Sequence, residues 1–275
     1  MTRATLAEVL QPALRDGYAV AGVVCLGWED ARAYVAAAET LGAPIILQAG
    51  PGARAHMPLS VWAAMFHALA DQASVPVVSH LDHGRTAEEC EEAIALGFTS
   101  VMFDGSSLPL EENIAQTAAI VAKAHAAGVS CEGEIGFVGY DGAEGSAMTD
   151  PDDAARFAAE TGVDAMAISV GNVHLQTEAQ AVIDRPRLAA IEAGAPGVPL
   201  VIHGGSGLPH ATRATLSRET AVSKFNIGTE LRMTFGAALR DALAANPDQF
   251  DRIRLLSAVE EPLAKKAGGL LRGLR

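Results

Sequence analysis

The chain has 275 residues, 49% of them hydrophobic and 19% charged, so it can bury a sizeable core and does not have the composition of a disordered chain. Its formal net charge of −13 argues against nucleic acid as the main partner, because phosphate backbones need tracks of Lys and Arg. It leaves room for a phosphorylated small molecule, which a local pocket of backbone N–H groups can hold whatever the global charge.

From Met1-Thr2-Arg3-Ala4-Thr5-Leu6 the chain runs directly into a helix-like pattern with no signal h-region. Apolar β-type runs then alternate with Ala-rich helical stretches to the end. Strands are predicted at 19–24, 44–48, 76–81, 100–103, 129–134, 165–170, 200–203 and 221–226. Helices are predicted at 30–41, 59–73, 87–96, 110–127, 152–161, 187–193, 211–218 and 229–245. Thr86 before Ala87-Glu88-Glu89 reads as an N-cap with acid in the first turn. Gly42, Gly97, Gly128 and Gly162 follow helices, where a left-handed residue is expected. The irregular stretch 136–150 reads as a lid, since so long a loop in a compact domain is usually functional or mobile. The stretch 247–275 reads as an amphipathic helical tail.

Eight strands alternating with eight helices imply right-handed βαβ units and a parallel sheet. That count, in a chain near the ~250 residues typical of such folds, favours a single (β/α)8 TIM barrel over an open doubly wound sheet. No G-x-G-x-x-G follows the first strand. Cys25, Cys90 and Cys131 are odd in number and show no C-x-x-C spacing, so a reducing cytoplasm is expected. No apolar stretch reaches the roughly 18 residues of a membrane span.

In such a barrel the active site lies at the C-terminal ends of the strands, and the unusual residues fall there. Asp82 and His83 follow strand three, and Asp104-Gly105-Ser106 follows strand four. Glu132 and Glu134 end strand five; Asn172 and His174 follow strand six. Gly204-Gly205-Ser206-Gly207 comes after His203 at strand seven, and Asn226-Ile227-Gly228-Thr229 ends strand eight. One such histidine could be an ordinary polar loop residue. Three of them, His83, His174 and His203, at equivalent strand ends point to a shared zinc site with an open fourth position. His80 shares its parity with Asp82, and a satisfied structural role is expected for it. The small-residue turns after strands seven and eight sit where barrels often hold a phosphate. Lys224 could serve as a Schiff-base lysine, although a strand lysine is more often an ion-pair partner.

Taken in order, these residues resemble a known family. His80-Leu81-Asp82-His83, Ser100-Val101-Met102-Phe103-Asp104-Gly105-Ser106, Glu132-Gly133-Glu134-Ile135-Gly136, His203-Gly204-Gly205-Ser206-Gly207 and Asn226-Ile227-Gly228-Thr229-Glu230 are similar to the class II, zinc-dependent fructose- and tagatose-bisphosphate aldolases. Pro109-Leu110-Glu111-Glu112-Asn113-Ile114 adds to the likeness, which spans roughly residues 30–240. The resemblance implies Zn2+ on His83, His174 and His203, binding the oxygens of dihydroxyacetone phosphate and stabilising its enediolate. It implies that Asp82 exchanges the proton with the C4 hydroxyl when the C3–C4 bond breaks. It places Asp104 and Glu134 around the histidines or as alternative metal contacts. Gly204, Gly205, Ser206, Asn226, Gly228 and Thr229 would bind the phosphate and enediolate end of the substrate. A homodimer or homotetramer is the implied assembly.

The departures bear on the substrate. Leu175 stands where the family has a glycine that admits phosphate and a monovalent cation. Val24-Cys25-Leu26-Gly27-Trp28 replaces an asparagine-rich segment, and Gly50 replaces a phosphate-touching serine. The lid offers only Asp141 or Glu144 as the acid that protonates the enediolate. No arginine for a second phosphate can be placed. Trp28 and Leu175 could line a pocket for something less charged than a sugar bisphosphate. The main expectation is a zinc-dependent lyase on a phosphorylated ketose. The alternatives are a Schiff-base aldolase using Lys224, or a sugar-phosphate-binding relative that has lost turnover.

Overall fold

The structure, a computed structural model, describes residues 2–139, 146–178 and 180–275. Eight strands close a barrel in chain order: β1 (Val20–Val24), β2 (Ile45–Ala49), β3 (Val77–Gly84), β4 (Ser100–Phe103), β5 (Ser130–Ile135), β6 (Ala165–Ile168), β7 (Leu200–Ile202) and β8 (Val222–Ile227). Every neighbouring pair is parallel, including β8 with β1. The helices on the outside are α2 (Trp28–Leu41), α4 (Leu59–Gln72), α5 (Ala87–Ala95), α6 (Leu110–Ala126), α7 (Pro151–Thr161), α8 (Arg185–Gly194), α9 (His210–Glu219) and α10 (Thr229–Ala245). This is the (β/α)8 barrel that the alternating pattern predicts.

The boundary signals act as their chemistry requires. Thr86 Oγ1 accepts from Glu89 N at the start of α5. Gly42, Gly97, Gly128 and Gly162 all take positive φ. Four elements lie outside the simple alternation: α1 (Leu6–Asp16), α3 (Pro51–His56), and the C-terminal α11 (Arg252–Ser257) and α12 (Glu260–Gly273). Thr5 and Glu8 cap α1 reciprocally, at 3.3 and 2.8 Å. No described helix is long and apolar enough to cross a membrane.

The core has two compartments. Outward-facing strand residues and the inner faces of the helices make the larger one. The smaller fills the barrel floor, where Leu6, Val9 and Leu10 of α1 plug against Val20, Ile46, Val78, Met102 and Val201. Above that floor the interior turns polar. Parity along the strands places His80, Glu132 and Lys224 in a middle layer, and Gln48, Asp82, Glu134 and Asn226 toward the mouth. The apolar floor anchors the barrel and the polar upper half supplies the chemistry.

Candidate active site

The mouth is built from strand ends. β3 runs past its expected end at residue 81 and carries Asp82 and His83 within the strand. Its pairing with β4 shifts between Leu81 and Gly84, and His83 takes a φ of 109°. His203 directly follows β7 and is fully buried. His174 lies in the loop after β6. Asn172 holds that loop, accepting from Val170 N at 2.9 Å and donating to the His203 carbonyl at 3.0 Å.

These elements bring the three histidines together. One nitrogen from each of His83, His174 and His203 lies within 4.8 Å of the others. The ring centroids are 4.7 Å apart for His83 and His203, 5.5 Å for His174 and His203, and 5.8 Å for His83 and His174. Carboxylates surround them. Asp104 Oδ2 is 2.9 Å from His83 Nδ1 and fixes that ring. Glu134 Oε2 lies 3.6 Å from His83 Nδ1 and 3.7 Å from His203 Nδ1. Glu132 Oε1 is 3.1 Å from His203 Nε2.

The electrostatics follow from burial and charge. Burial alone would lower the pKa of His83, but Asp82, Asp104 and Glu134 raise it to about 9. Burial, reinforced by the positive charge of His83, lowers His174 to about 4 and drives His203 well below the usual histidine value. Burial pushes Glu134 up to about 8, with Asp104 adding to the effect. Burial also opposes ionisation of Asp104, yet the hydrogen bonds from His83 and Ser106 hold it well below the usual carboxylate range.

A cavity of about 210 Å³ opens over the cluster. Asp82, His83, His174, Gly204, Ser206, Asn226, Gly228 and Thr229, all singled out in the motifs, line it. Gly205 does not; it is buried behind the turn, its carbonyl accepting from Arg213 Nη1 at 3.1 Å. Leu175 lines the cavity, with φ of 59°, so the left-handed backbone that suits glycine persists with a leucine in place. Trp28 does not line it. As the first residue of α2 it borders a different cavity with Met57, Val61 and Met65. Asp141 and Glu144 lie outside the described residues.

Several contributors escape motif reading. Gln48 Nε2 donates to Asp82 Oδ1 at 2.8 Å, and Asn226 Nδ2 donates to the same oxygen at 3.1 Å. Gly22 makes room for both amides, since a Cβ there would fall 2.2 Å from Gln48 Oε1 and 2.9 Å from Asn226 Oδ1. Gln48 is a lone amide in an apolar run, and that oddity was its only signal. Arg232, one turn into α10, also lines the cavity. Lys224 is wholly buried beneath the cavity, its Nζ 2.5 Å from Glu132 Oε2 and 3.3 Å from His80 Nε2. His80 Nδ1 in turn meets Ser100 Oγ at 2.8 Å, so His80 is the satisfied structural residue expected of it.

The donor set fits a divalent cation. His203 Nδ1 and Glu134 Oε2 are buried with no hydrogen-bond partner among the described residues; His203 belongs to the three-histidine group, and Glu134 to a second possible metal-binding group with His83 and Asp104. Orphaned buried acceptors are costly, and a cation between the rings would satisfy them. Three imidazoles, with Asp104 behind His83 and Glu132 behind His203, are the donor chemistry of catalytic zinc. A parallel barrel whose mouth gathers such a cluster beside a buried aspartate has the architecture of a barrel enzyme with a candidate metal site.

The relatives narrow that class. The family model described as fructose-bisphosphate aldolase class-II matches residues 4–274. A Bacillus subtilis protein named probable fructose-bisphosphate aldolase is 37% identical, over 99% of this chain and 97% of its own. A Shouchella clausii protein named 6-phospho-5-dehydro-2-deoxy-D-gluconate aldolase is 38% identical, over 91% of this chain and 87% of its own. The crystal structure of the YdjI aldolase from Escherichia coli K12 superposes with a TM-score of 0.86 at 29% identity, covering 99% of this chain and 97% of that one. The chain belongs to the class II fructose-bisphosphate aldolase family and is an aldehyde-lyase.

Proposed function

We propose that the protein is a zinc-dependent aldolase that cleaves or forms the C3–C4 bond of a phosphorylated ketose through the enediolate of dihydroxyacetone phosphate. The carrying observation is the convergence of His83, His174 and His203, with the buried His203 Nδ1 left without a hydrogen-bond partner among the described residues. These three residues would hold the ion. A bound Zn2+ supplies Lewis acidity toward the ketose carbonyl and the negative charge that appears when the bond breaks.

The chain's own residues do the rest. Gln48 and Asn226 orient Asp82 through Oδ1, and Oδ2 lies on the side of Gly50, which lines the cavity. In cleavage Asp82 takes the C4 hydroxyl proton. The C4–O bond becomes a carbonyl, the C3–C4 pair moves into the C2–C3 bond while the C2 carbonyl π pair moves onto its oxygen, and a proton delivered to C3 as that carbonyl re-forms completes the ketone product. Asp141 and Glu144 are the candidate donors of that proton, on a loop proposed as a lid over 136–150. The His174 N–H donates to the Gly139 carbonyl at 2.8 Å, tying that loop to the site.

Gly204, Ser206, Asn226, Gly228 and Thr229 would hold the phosphate end, with the N-terminus of α10 and Arg232 adding positive potential. The family's spread of named substrates, seen in the Bacillus and Shouchella relatives, agrees with a phosphorylated acyclic sugar and leaves its aldehyde half to be read by assay. Burial of Lys224 in an ion pair below the cavity disfavours a Schiff base.

The test is retro-aldol cleavage over a panel of ketose mono- and bisphosphates. EDTA-stripped protein is expected to be inactive and to recover with Zn2+. Full activity after exhaustive metal removal would overturn the reading.

A further inference from the structure

The strand end that presents Asp82 and His83 has a backbone that the side chains alone do not explain. His83 has a φ of 109°, a region that L-residues rarely occupy. The β3–β4 ladder slips at the same place, between Leu81 and Gly84. A strained residue persists only where its surroundings over-determine it. Asp104 fixes the His83 ring and leaves its backbone free to relax.

What grips the backbone is Arg54. Its Nη1 donates to the Asp82 carbonyl at 2.6 Å and to the Ala49 carbonyl at 2.9 Å. Its Nη2 donates to the His83 carbonyl at 2.9 Å. The side chain is 12% exposed, and Glu89 Oε2, 3.6 Å from Nη2, is its carboxylate neighbour. The planar fork suits two carbonyls on successive residues, a pairing that an ammonium group cannot reproduce. Arg54 sits on α3, and the residues before it, Gly50 to Ala53, form one wall of the cavity.

We infer that Arg54 is a positioning residue: it clamps the Asp82–His83 strand end in its strained shape and couples that strand end to the cavity wall at 50–53. The inference rests on the roles proposed above for Asp82 and His83. With the clamp in place, the carboxylate and the imidazole emerge from one strand end toward the same space. Without it, the positive-φ backbone at His83 relaxes and the two groups diverge.

The experiment uses the full-length protein with Arg54→Ala and Arg54→Lys. Three readings are taken: Zn2+ affinity by chelator competition, the visible spectrum of the Co2+-substituted protein, and hydrogen exchange of the amides at 82–84. Arg54→Ala is expected to keep its far-UV circular dichroism, weaken Zn2+ about 10- to 100-fold, shift the Co2+ bands and accelerate exchange at 82–84. Millimolar guanidinium is expected to restore part of the lost affinity. Arg54→Lys keeps the charge and stem but not the fork, and is expected to fall between the two. If the alanine variant does not fold, the lysine variant carries the same readings. Folded variants with native Zn2+ affinity and native exchange would overturn the inference. Failure of the unmutated protein to bind Zn2+ would sink the metal reading instead, and exchange at 82–84 would then decide the role of Arg54 alone.

Discussion

Asp82 is placed by two neutral amides, and a substitution can separate its chemistry from its placement. Asp82→Asn is expected to keep Zn2+ binding and lower kcat by about 10²- to 10⁴-fold, the usual share of a positioned general base. Steady-state kinetics on the zinc-loaded variant checks this. Gly22→Ala tests the placement. Its Cβ would press on the ends of the Gln48 and Asn226 side chains, which can swing aside. Stability is therefore expected to change little while kcat falls, a contrast read by denaturation and assay on one sample. Asp30 gives a pH signature away from the metal. Burial raises it from an ordinary value of 3.8 to about 6, against the backbone N–H groups of Leu26, Gly27 and Ala31. The folded chain therefore binds this proton more tightly than the unfolded chain. Its contribution favours folding below pH 3.8 and is lost as pH rises to about 6, a swing of about 3 kcal/mol. The stability difference between the native chain and Asp30→Asn is expected to shift toward the native chain between pH 7 and pH 5 in urea melts.

At the scale of elements, α1 and α3 do work that the alternating pattern hides. α1 closes the floor, and Leu10 is fully buried there. Leu10→Ala is expected to cost about 2–5 kcal/mol in denaturant unfolding while leaving Zn2+ affinity unchanged, because floor and mouth are opposite ends of the barrel. α3 was illegible for a physical reason. Pro51 and Gly52 read as breakers, yet Pro51 is the first helical residue, where its missing N–H costs nothing. The strands were legible because apolar runs bounded by glycine and polar residues leave few alternatives. The histidines and Asp82 were legible because they sit at strand ends with motif spacing. Gln48 and Arg54 were not, since each acts through a contact between elements distant in sequence, and Arg232 was not, since only the closed barrel brings it to the cavity. Trp28 was misread for the same reason. Its sequence neighbours lie near the mouth, but the turn into α2 aims the indole at another cavity, with Arg32 stacked 5.7 Å from the ring centroid.

Across the whole molecule, the barrel interior is graded from an apolar floor through a buried ionic layer to the mouth. The middle layer links Ser100, His80, Lys224, Glu132 and His203 in one chain of contacts. Removing one partner strands a buried charge, so Lys224→Met is expected to cost about 3–5 kcal/mol in unfolding free energy. Borohydride with substrate is expected to leave the mass of the unmutated protein unchanged, because the Lys224 amine is occupied and enclosed. The gradient leaves the three imidazoles as the place where strands β3 and β7 and the loop after β6 meet. Anomalous diffraction at the zinc edge from zinc-soaked crystals tests that meeting point most directly. One peak is expected among His83, His174 and His203, with Zn–N distances of about 2.0–2.1 Å. A zinc peak elsewhere, or none with the metal supplied, would contradict it.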